Sequence, residues 1–223
     1  MKKEKVLVSW SGGKDSAFAL YEIQRNGDYE IAALFSTITK DYDRITMHGV
    51  RRVLLEEQAK AIGIPVHEVF IPKKVSNEEY NSIMEKEMME AKKNGISSVV
   101  FGDIFLEDVR KYREENLSKV SMRGIFPLWK RGSRELVTDF INLGFKAIVV
   151  CVDSNVLDKS FIGRTVDKKF LEDLPKSVDP AGENGEYHTF VYHGPMFKKE
   201  VNFEKGEIVF RENRFYYLDL IPI

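Results

Sequence analysis

The chain has 223 residues, of which 43% are hydrophobic and 31% charged, and its formal net charge is −1. This composition is typical of a folded domain, and the balanced charge gives no general attraction for nucleic acid or an anionic membrane, so we expect neither as a partner. No apolar run is long enough to span a membrane, the basic N-terminus lacks the apolar stretch of a signal peptide, and the single cysteine excludes an intrachain disulfide, so the cytoplasm is the expected compartment.

The first two-thirds of the chain alternates between apolar strand patterns and helical patterns. This alternation predicts an α/β fold, a Rossmann-like doubly wound sheet of five parallel strands with helices on both faces. In such a sheet, ligands bind beyond the carboxyl ends of the strands. The predicted strands are 5–9, 31–37, 66–71, 98–102 and 145–152, and the predicted helices are 16–26, 49–62, 77–94, 105–119 and 133–143.

The last third of the chain has a different pattern, with one more helix at 166–174 and short apolar segments after it. These segments predict antiparallel strands near 201–203, 207–210 and 215–219. The sequence therefore predicts a smaller, β-containing C-terminal subdomain. The predicted domains are a nucleotide-binding domain, 1–152, and a substrate-binding subdomain, 153–223.

The segment 9–16, Ser-Trp-Ser-Gly-Gly-Lys-Asp-Ser, joins the first predicted strand to the first predicted helix. A strand, a glycine turn and a helix start collect unpaired backbone N–H groups at the positive end of a helix dipole, which binds phosphate. The spacing excludes a Walker loop, because Asp15 stands where Ser or Thr is needed, and the single glycine pair excludes a dinucleotide fingerprint. The alternative is a glycine turn without a ligand. The predicted nucleotide-binding residues here are Ser9, Ser11, Gly12, Gly13, Lys14, Asp15 and Ser16.

Further candidate residues lie at the ends of other predicted strands. His48 follows the second strand, where it is either a ligand of the nucleotide or a helix cap. Carboxylates after the fourth strand could hold Mg²⁺ with ATP phosphates, orient a nucleophile, face a cationic substrate, or only complement a helix dipole. We predict that Phe35, Ser36, His48 and Gly102 bind the nucleotide, and that Asp103, Glu107 and Asp108 bind the substrate.

The densest polar segment is 179–190, which reads Asp-Pro-Ala-Gly-Glu-Asn-Gly-Glu-Tyr-His-Thr-Phe. Such a segment beside an apolar run is typical of a site loop positioned by a strand. A hairpin turn is the alternative, because Asn-Gly is a strong turn dipeptide, and such a turn could itself present the side chains. The predicted substrate-binding residues here are Glu183, Asn184, Gly185, Glu186, Tyr187, His188 and Thr189.

Together these segments resemble the diphthine–ammonia ligase family, within the adenine nucleotide α-hydrolase-like (HUP) superfamily of N-type ATP pyrophosphatases. The resemblance covers essentially the whole chain and rests on segments 11–16, 102–110 and 182–190. The first segment marks the superfamily, and the last is much more specific to the family. One departure is Ala181, where the family is expected to have cysteine, so an essential thiol there would be missing. The chain is similar to the minimal archaeal form, without the extra C-terminal domains of eukaryotic relatives.

The resemblance implies the last step of diphthamide synthesis. ATP adenylates the carboxylate of diphthine on elongation factor 2, and ammonia then displaces AMP. It implies ATP and Mg²⁺ as cofactors, and elongation factor 2 and ammonium as partners, and a homodimer is left open. Lys14 and Ser16 would bind the departing pyrophosphate, and Asp15 is the candidate Mg²⁺ ligand. The trimethylammonium group of diphthine needs acidic or aromatic neighbours, for which the candidates are Asp103, Glu107, Glu183, Glu186, Trp129 and Tyr187.

Two points stay open at the level of sequence. The general base is either Glu186 or His188. Another enzyme on the same scaffold that adenylates RNA, or an ATP- or AMP-binding regulator without chemistry, would share the nucleotide loop. Net charge and the lone cysteine disfavour the first alternative, and the acidic residues disfavour the second. The predicted catalytic residues are Lys14, Asp103, Glu183, Glu186 and His188.

Overall fold

The computed structural model describes residues 3–223, and its first sheet is mostly parallel. The strands of this sheet are β1 (Glu4–Ser9), β2 (Tyr29–Thr39), β3 (Arg44–Ile45), β4 (Val66–Ile71), β5 (Ser98–Val100) and β6 (Arg123–Ile125). Five of them run parallel in the order β4-β2-β1-β5-β6, and β3 pairs antiparallel with the end of β2. The chain proceeds outward from β1 first on one side and then on the other. The carboxyl ends of β1 and β5 therefore flank a topological switch point, where ligands bind in such sheets.

Helices cover both faces of this sheet. One apolar cluster contains buried residues of α1, α2 and α5, and a separate cluster contains buried residues of α3 and α4. This arrangement confirms the predicted doubly wound α/β fold. None of the helices within residues 3–223 combines the length and the apolar character needed to cross a membrane. The helices are α1 (Lys14–Asn26), α2 (Arg52–Ile62), α3 (Asn77–Lys93), α4 (Glu107–Lys119), α5 (Ser133–Asn142) and α6 (Lys168–Asp173).

A second sheet is formed by the C-terminal part of the chain. Its strands are β7 (Lys146–Asp153), β8 (Tyr187–His193), β9 (Phe203–Arg211) and β10 (Phe215–Pro222), in the antiparallel order β8-β7-β10-β9. Aromatic packing joins it to the helices of the first sheet. The rings of Phe140 and Phe145 stack with centroids 4.6 Å apart, and Phe18 of α1 lies 6.1 Å from Phe145. The two sheets therefore share one core.

The prediction that strand 145–152 belongs to the parallel sheet is wrong. This strand is β7, which pairs antiparallel with β8 and β10, and the fifth parallel strand is the short β6. An unbroken apolar run indicates burial on both faces but not the direction of the neighbouring strands, which explains the error. The division into domains 1–152 and 153–223 stays a prediction, and its first two residues lie outside the described part of the chain.

Candidate active site

The loop between β1 and α1 turns sharply at its glycine pair. Gly12 has φ of +75°, in the left-handed region that glycine tolerates. Gly13 is the N-cap of α1, and its carbonyl accepts hydrogen bonds from Ala17 N at 3.0 Å and Ser16 Oγ at 2.9 Å. Ser11 Oγ accepts a long hydrogen bond of 3.3 Å from Gly13 N and lies 3.2 Å from Ser16 Oγ. Backbone and hydroxyl donors thus gather at the positive end of α1, as an anion site requires.

Strand β8 lies directly against this loop. Val191 N donates to the Gly12 carbonyl at 2.9 Å, and Lys14 N donates to Thr189 Oγ1 at 3.0 Å, although the latter two residues are 175 positions apart. The ammonium of Lys14 also donates to the Ala181 carbonyl. The segment predicted to bind nucleotide and the segment predicted to bind substrate therefore form one site.

Lys14 is the most deeply buried charge at this junction, with only 3% of its surface exposed. Its Nζ donates to Asp15 Oδ2 at 2.8 Å and lies 5.1 Å from the centroid of the Tyr187 ring, in addition to its contact with Ala181. A buried ammonium needs such partners because it has lost its water. Phosphate oxygens would compensate the same charge, so the position of Lys14 fits a phosphate ligand.

The loop after β5 forms the other wall of the switch point. A Cβ added to Gly102 would lie 2.7 Å from the carbonyl carbon of Asp15 and 3.0 Å from Ser16 N, so only glycine fits here. Glu183 Oε1 accepts a hydrogen bond of 2.8 Å from Ile104 N and thereby joins the C-terminal loop to this wall. Backbone from both halves of the chain is therefore packed around the carboxyl ends of β1 and β5.

Three carboxyl groups influence one another at this wall. Burial raises the pKa of Asp15, and the nearby Lys14 ammonium opposes the shift. Burial also raises the pKa of Asp103, against the opposing effect of the Arg113 guanidinium. Burial, opposed by the hydrogen bond from Ile104 N and reinforced by the charges of both aspartates, raises the pKa of Glu183 to about 7. The site therefore holds three interacting carboxyl groups, of which two are paired with Lys14 and Arg113 and the third, Glu183, titrates near neutrality.

Arg113 of α4 pairs with the acidic wall, by which we mean the carboxyl groups of Asp15, Asp103 and Glu183. The sequence pattern did not indicate this role for Arg113. Its Nη2 donates to Asp103 Oδ1 at 3.1 Å, its Nε lies 2.8 Å from Asp103 Oδ2, and its guanidinium lies 4.4 Å from the Phe101 ring centroid. An arginine in a strongly charged helix reads as a surface residue. Only the fold shows that it compensates the aspartate.

Asp15 offers the best fit for the predicted Mg²⁺. Its Oδ2 accepts from Lys14, whereas its Oδ1 is buried and has no hydrogen-bond partner in residues 3–223. A free carboxylate oxygen is the kind of ligand that Mg²⁺ takes. Within the described range, no cluster of three or more His, Cys, Asp or Glu side chains is arranged around a metal position. Asp15 could therefore hold a cation whose remaining ligands come from phosphates and water.

Two histidines from the two halves of the chain meet beside the glycine pair. The rings of His48 and His188 lie 4.6 Å apart between centroids, and a Cβ added to Gly13 would lie 3.3 Å from His48 Nε2. Burial and the neighbouring His188 lower the pKa of His48 to about 3, and burial and the Lys14 charge lower the pKa of His188 to about 4. Both imidazoles are thus neutral at pH 7 and can donate or accept hydrogen bonds.

Glu186 organises the loop that precedes β8. Its Oε1 accepts hydrogen bonds from Asp179 N at 3.0 Å and Asn184 Nδ2 at 2.9 Å, and its Oε2 accepts from Asn184 N at 3.0 Å. The Asn-Gly dipeptide lies in a turn in which Gly185 N donates to the Gly182 carbonyl at 3.0 Å. Both carboxylate oxygens of Glu186 therefore accept hydrogen bonds from the loop. These contacts do not support the predicted role of Glu186 as a general base.

Comparison with known proteins identifies the family to which this arrangement belongs. A model of the diphthamide synthase N-terminal domain matches residues 4–124, and a model of the diphthamide synthase C-terminal domain matches residues 132–220. The chain belongs to the diphthamide synthase family. The chain is also similar to proteins named diphthine–ammonia ligase. The human protein is 26% identical, with 92% of this chain and 85% of the relative covered. The Schizosaccharomyces pombe protein is 27% identical, with 92% of this chain and 37% of the relative covered.

Several predicted residues of this diphthamide synthase family member take no part in the contacts around Lys14 described above. The ring of Phe35 is buried and stacks on His67 with centroids 5.5 Å apart. The guanidinium of Arg110 covers the face of the Trp129 ring, 4.6 Å from its centroid. Ser36 Oγ donates a hydrogen bond to the Trp10 carbonyl and so stabilises the conformation of the loop. Glu107 and Asp108 are exposed in the first turn of α4, and Ser9 ends β1. The structure thus brings Lys14, Asp15, Asp103, Glu183 and His188 together, and the nucleotide- or substrate-binding roles of the others stay predictions.

Proposed function

We propose that the protein is an ATP-dependent diphthine–ammonia ligase that amidates diphthine on elongation factor 2 to diphthamide and releases AMP and pyrophosphate. The observation that carries this proposal is the junction at Lys14. There, the anion-binding loop of the N-terminal half contacts the 179–189 segment of the C-terminal half. Both halves match the same family, and its named relatives are ligases. A regulator without chemistry would not need the acidic wall beside the anion site.

The chemistry follows from what each wall can bind. A carboxylate oxygen of diphthine attacks the α-phosphorus of ATP, and the bond to the pyrophosphate breaks. The charge that develops on the leaving group meets the N–H groups of the loop, the Ser16 hydroxyl and the Lys14 ammonium, which stabilise it because they are already oriented. Mg²⁺ with Asp15 would neutralise further charge. Ammonia then attacks the carbonyl carbon, and AMP leaves with one former carboxylate oxygen.

The acidic wall would recognise the positive charges of this reaction. Diphthine carries a trimethylammonium group, and ammonium is also a cation, so both are attracted by ionised Glu183, whereas the charge of Asp103 is already compensated by Arg113. A general base works best when its pKa lies near the working pH, and the Glu183 carboxyl meets this condition. Glu183 is therefore our candidate for the group that takes a proton from ammonium, ahead of Glu186 and of His188, whose low pKa makes it a weak base.

A reconstituted reaction tests the proposal. The protein is incubated with ATP, Mg²⁺, ammonium and elongation factor 2 carrying diphthine, and AMP, pyrophosphate and the mass of the modified peptide are measured. We expect equal amounts of AMP and amide. AMP without amide would contradict the ligase and favour an enzyme that adenylates another substrate, such as RNA. Tight ATP binding without AMP would favour a regulator without chemistry. Light scattering of the protein alone tests whether it is a homodimer.

A further inference from the structure

Gln58 of α2 is fully buried, with 0% of its surface exposed, and it lies where three parts of the site meet. Its Nε2 donates to the Gly12 carbonyl at 3.0 Å and to the Val191 carbonyl at 2.6 Å, and its Oε1 accepts from Trp10 Nε1 at 3.1 Å. Both N–H groups of the amide and its carbonyl oxygen are therefore hydrogen-bonded. This set of contacts also fixes the orientation of the amide, because a flipped amide would place donor against donor and acceptor against acceptor.

We propose that Gln58 is a positioning residue that aims the phosphate-binding N–H of the loop. The peptide between Gly12 and Gly13 is planar and trans, so its C=O and N–H point in opposite directions. Gln58 Nε2 and Val191 N together hold the Gly12 carbonyl, and the Gly13 N–H on the other side of the plane is thereby directed into the anion site. Gly13 N makes only a long hydrogen bond of 3.3 Å to Ser11 Oγ, which a phosphate oxygen can replace.

The geometry at Gly12 shows why this control is needed. Glycine at φ of +75° is conformationally free, so nothing local keeps its peptide plane from rotating. A Cβ on Gly12 would lie 2.7 Å from Gln58 Oε1, so the loop is packed tightly against the glutamine. The same amide holds Val191 of β8. Gln58 therefore sets the loop and the C-terminal strand in one register, and a shift of either changes the direction of the N–H.

Substitution of the glutamine tests this role, which rests on the proposed ATP reaction. Gln58→Met keeps the size of the side chain and adds no charge, but it removes all three hydrogen bonds. We expect the KM for ATP to rise roughly ten- to a hundredfold, because a lost hydrogen bond to a charged phosphate is worth about that much. Lower stability alone would reduce the amount of active enzyme and leave KM unchanged. Gln24→Met, on the exposed face of α1, is the matched control and should keep the wild-type KM.

A measurement on the unaltered protein covers the case in which Gln58→Met does not fold. The chain has two tryptophans, and Trp129→Phe assigns the indole N–H resonance of Trp10 by elimination. Inorganic pyrophosphate bound at the loop should shift this resonance, because the indole N–H donates a hydrogen bond to Gln58 Oε1. An unchanged KM in folded Gln58→Met, or pyrophosphate binding that leaves the Trp10 resonance in place, would overturn the inference. Wild-type protein that neither forms AMP nor binds pyrophosphate would instead overturn the proposed function.

Discussion

Replacement of Glu183 by glutamine tests the electrostatics of the acidic wall. The carboxyl pKa is raised from 4.5 to about 7 in the folded protein, so the folded state holds its proton more tightly than the unfolded chain. The free energy of unfolding therefore falls as pH rises from about 4.5 to 7, and the loss is complete above that range. The full shift corresponds to about 3 kcal/mol. Because Glu183 is only partly buried, screening reduces this to about 2 kcal/mol.

Urea denaturation of the wild type and Glu183→Gln at pH 5 and pH 8 measures this effect. The amide can still accept from Ile104 N but cannot ionise. We expect the variant to gain about 2 kcal/mol of stability over the wild type between the two pH values. Other titrating groups are common to both proteins and cancel. Glu107→Gln, on exposed α4, should show no such change. A Glu183→Gln effect of equal size at pH 5 and pH 8 would refute the raised pKa.

Three further predictions concern the loop and its support. Lys14→Met should lower kcat/KM for ATP by about a hundredfold or more in a pyrophosphate-release assay, because an oriented charge at the leaving group is lost; unchanged turnover would remove it from the mechanism. Gly12→Ala should lose more stability in urea denaturation than Gly27→Ala, because a Cβ on Gly12 would meet Gln58, whereas Gly27 has a similar φ of +74° but no neighbour within 4 Å. Equal losses of stability would show that the contact with Gln58 does not matter. Glu186→Gln places an amide donor against backbone donors, so it should cost about 1–3 kcal/mol by denaturation; a neutral result would exclude a role in holding the loop.

The fold was largely predictable because its periodic patterns are local. Strand β1, the glycine loop and α1 follow one another in sequence, so their geometry could be predicted without tertiary contacts. Strand β6 was missed because it has only three residues, one of them Gly124, and no periodicity develops in so short a segment. The sheet to which β7 belongs depends on pairing with β8 and β10, which lie far along the chain.

The candidate site was predictable in its residue types but not in its contacts. Lys14 was predicted from its place in a glycine turn between a strand and a helix, and Glu183 from a dense polar segment. Gln58 was missed, although it lies three and four residues from Leu55 and Leu54 on the buried face of α2, and a polar residue on that face is the signal that was available. Its contacts with Gly12 and Val191 arise only when α2, the loop and β8 pack together.

The fate of the carboxylate oxygens tests the central claim most directly. Elongation factor 2 carrying diphthine labelled with a heavy oxygen isotope in its carboxylate is converted with unlabelled ATP and ammonium. If the carboxylate attacks the α-phosphorus, one labelled oxygen should appear in AMP for each amide formed. Label in inorganic phosphate, or amide formation with unlabelled AMP, would contradict activation of the carboxylate by adenylation.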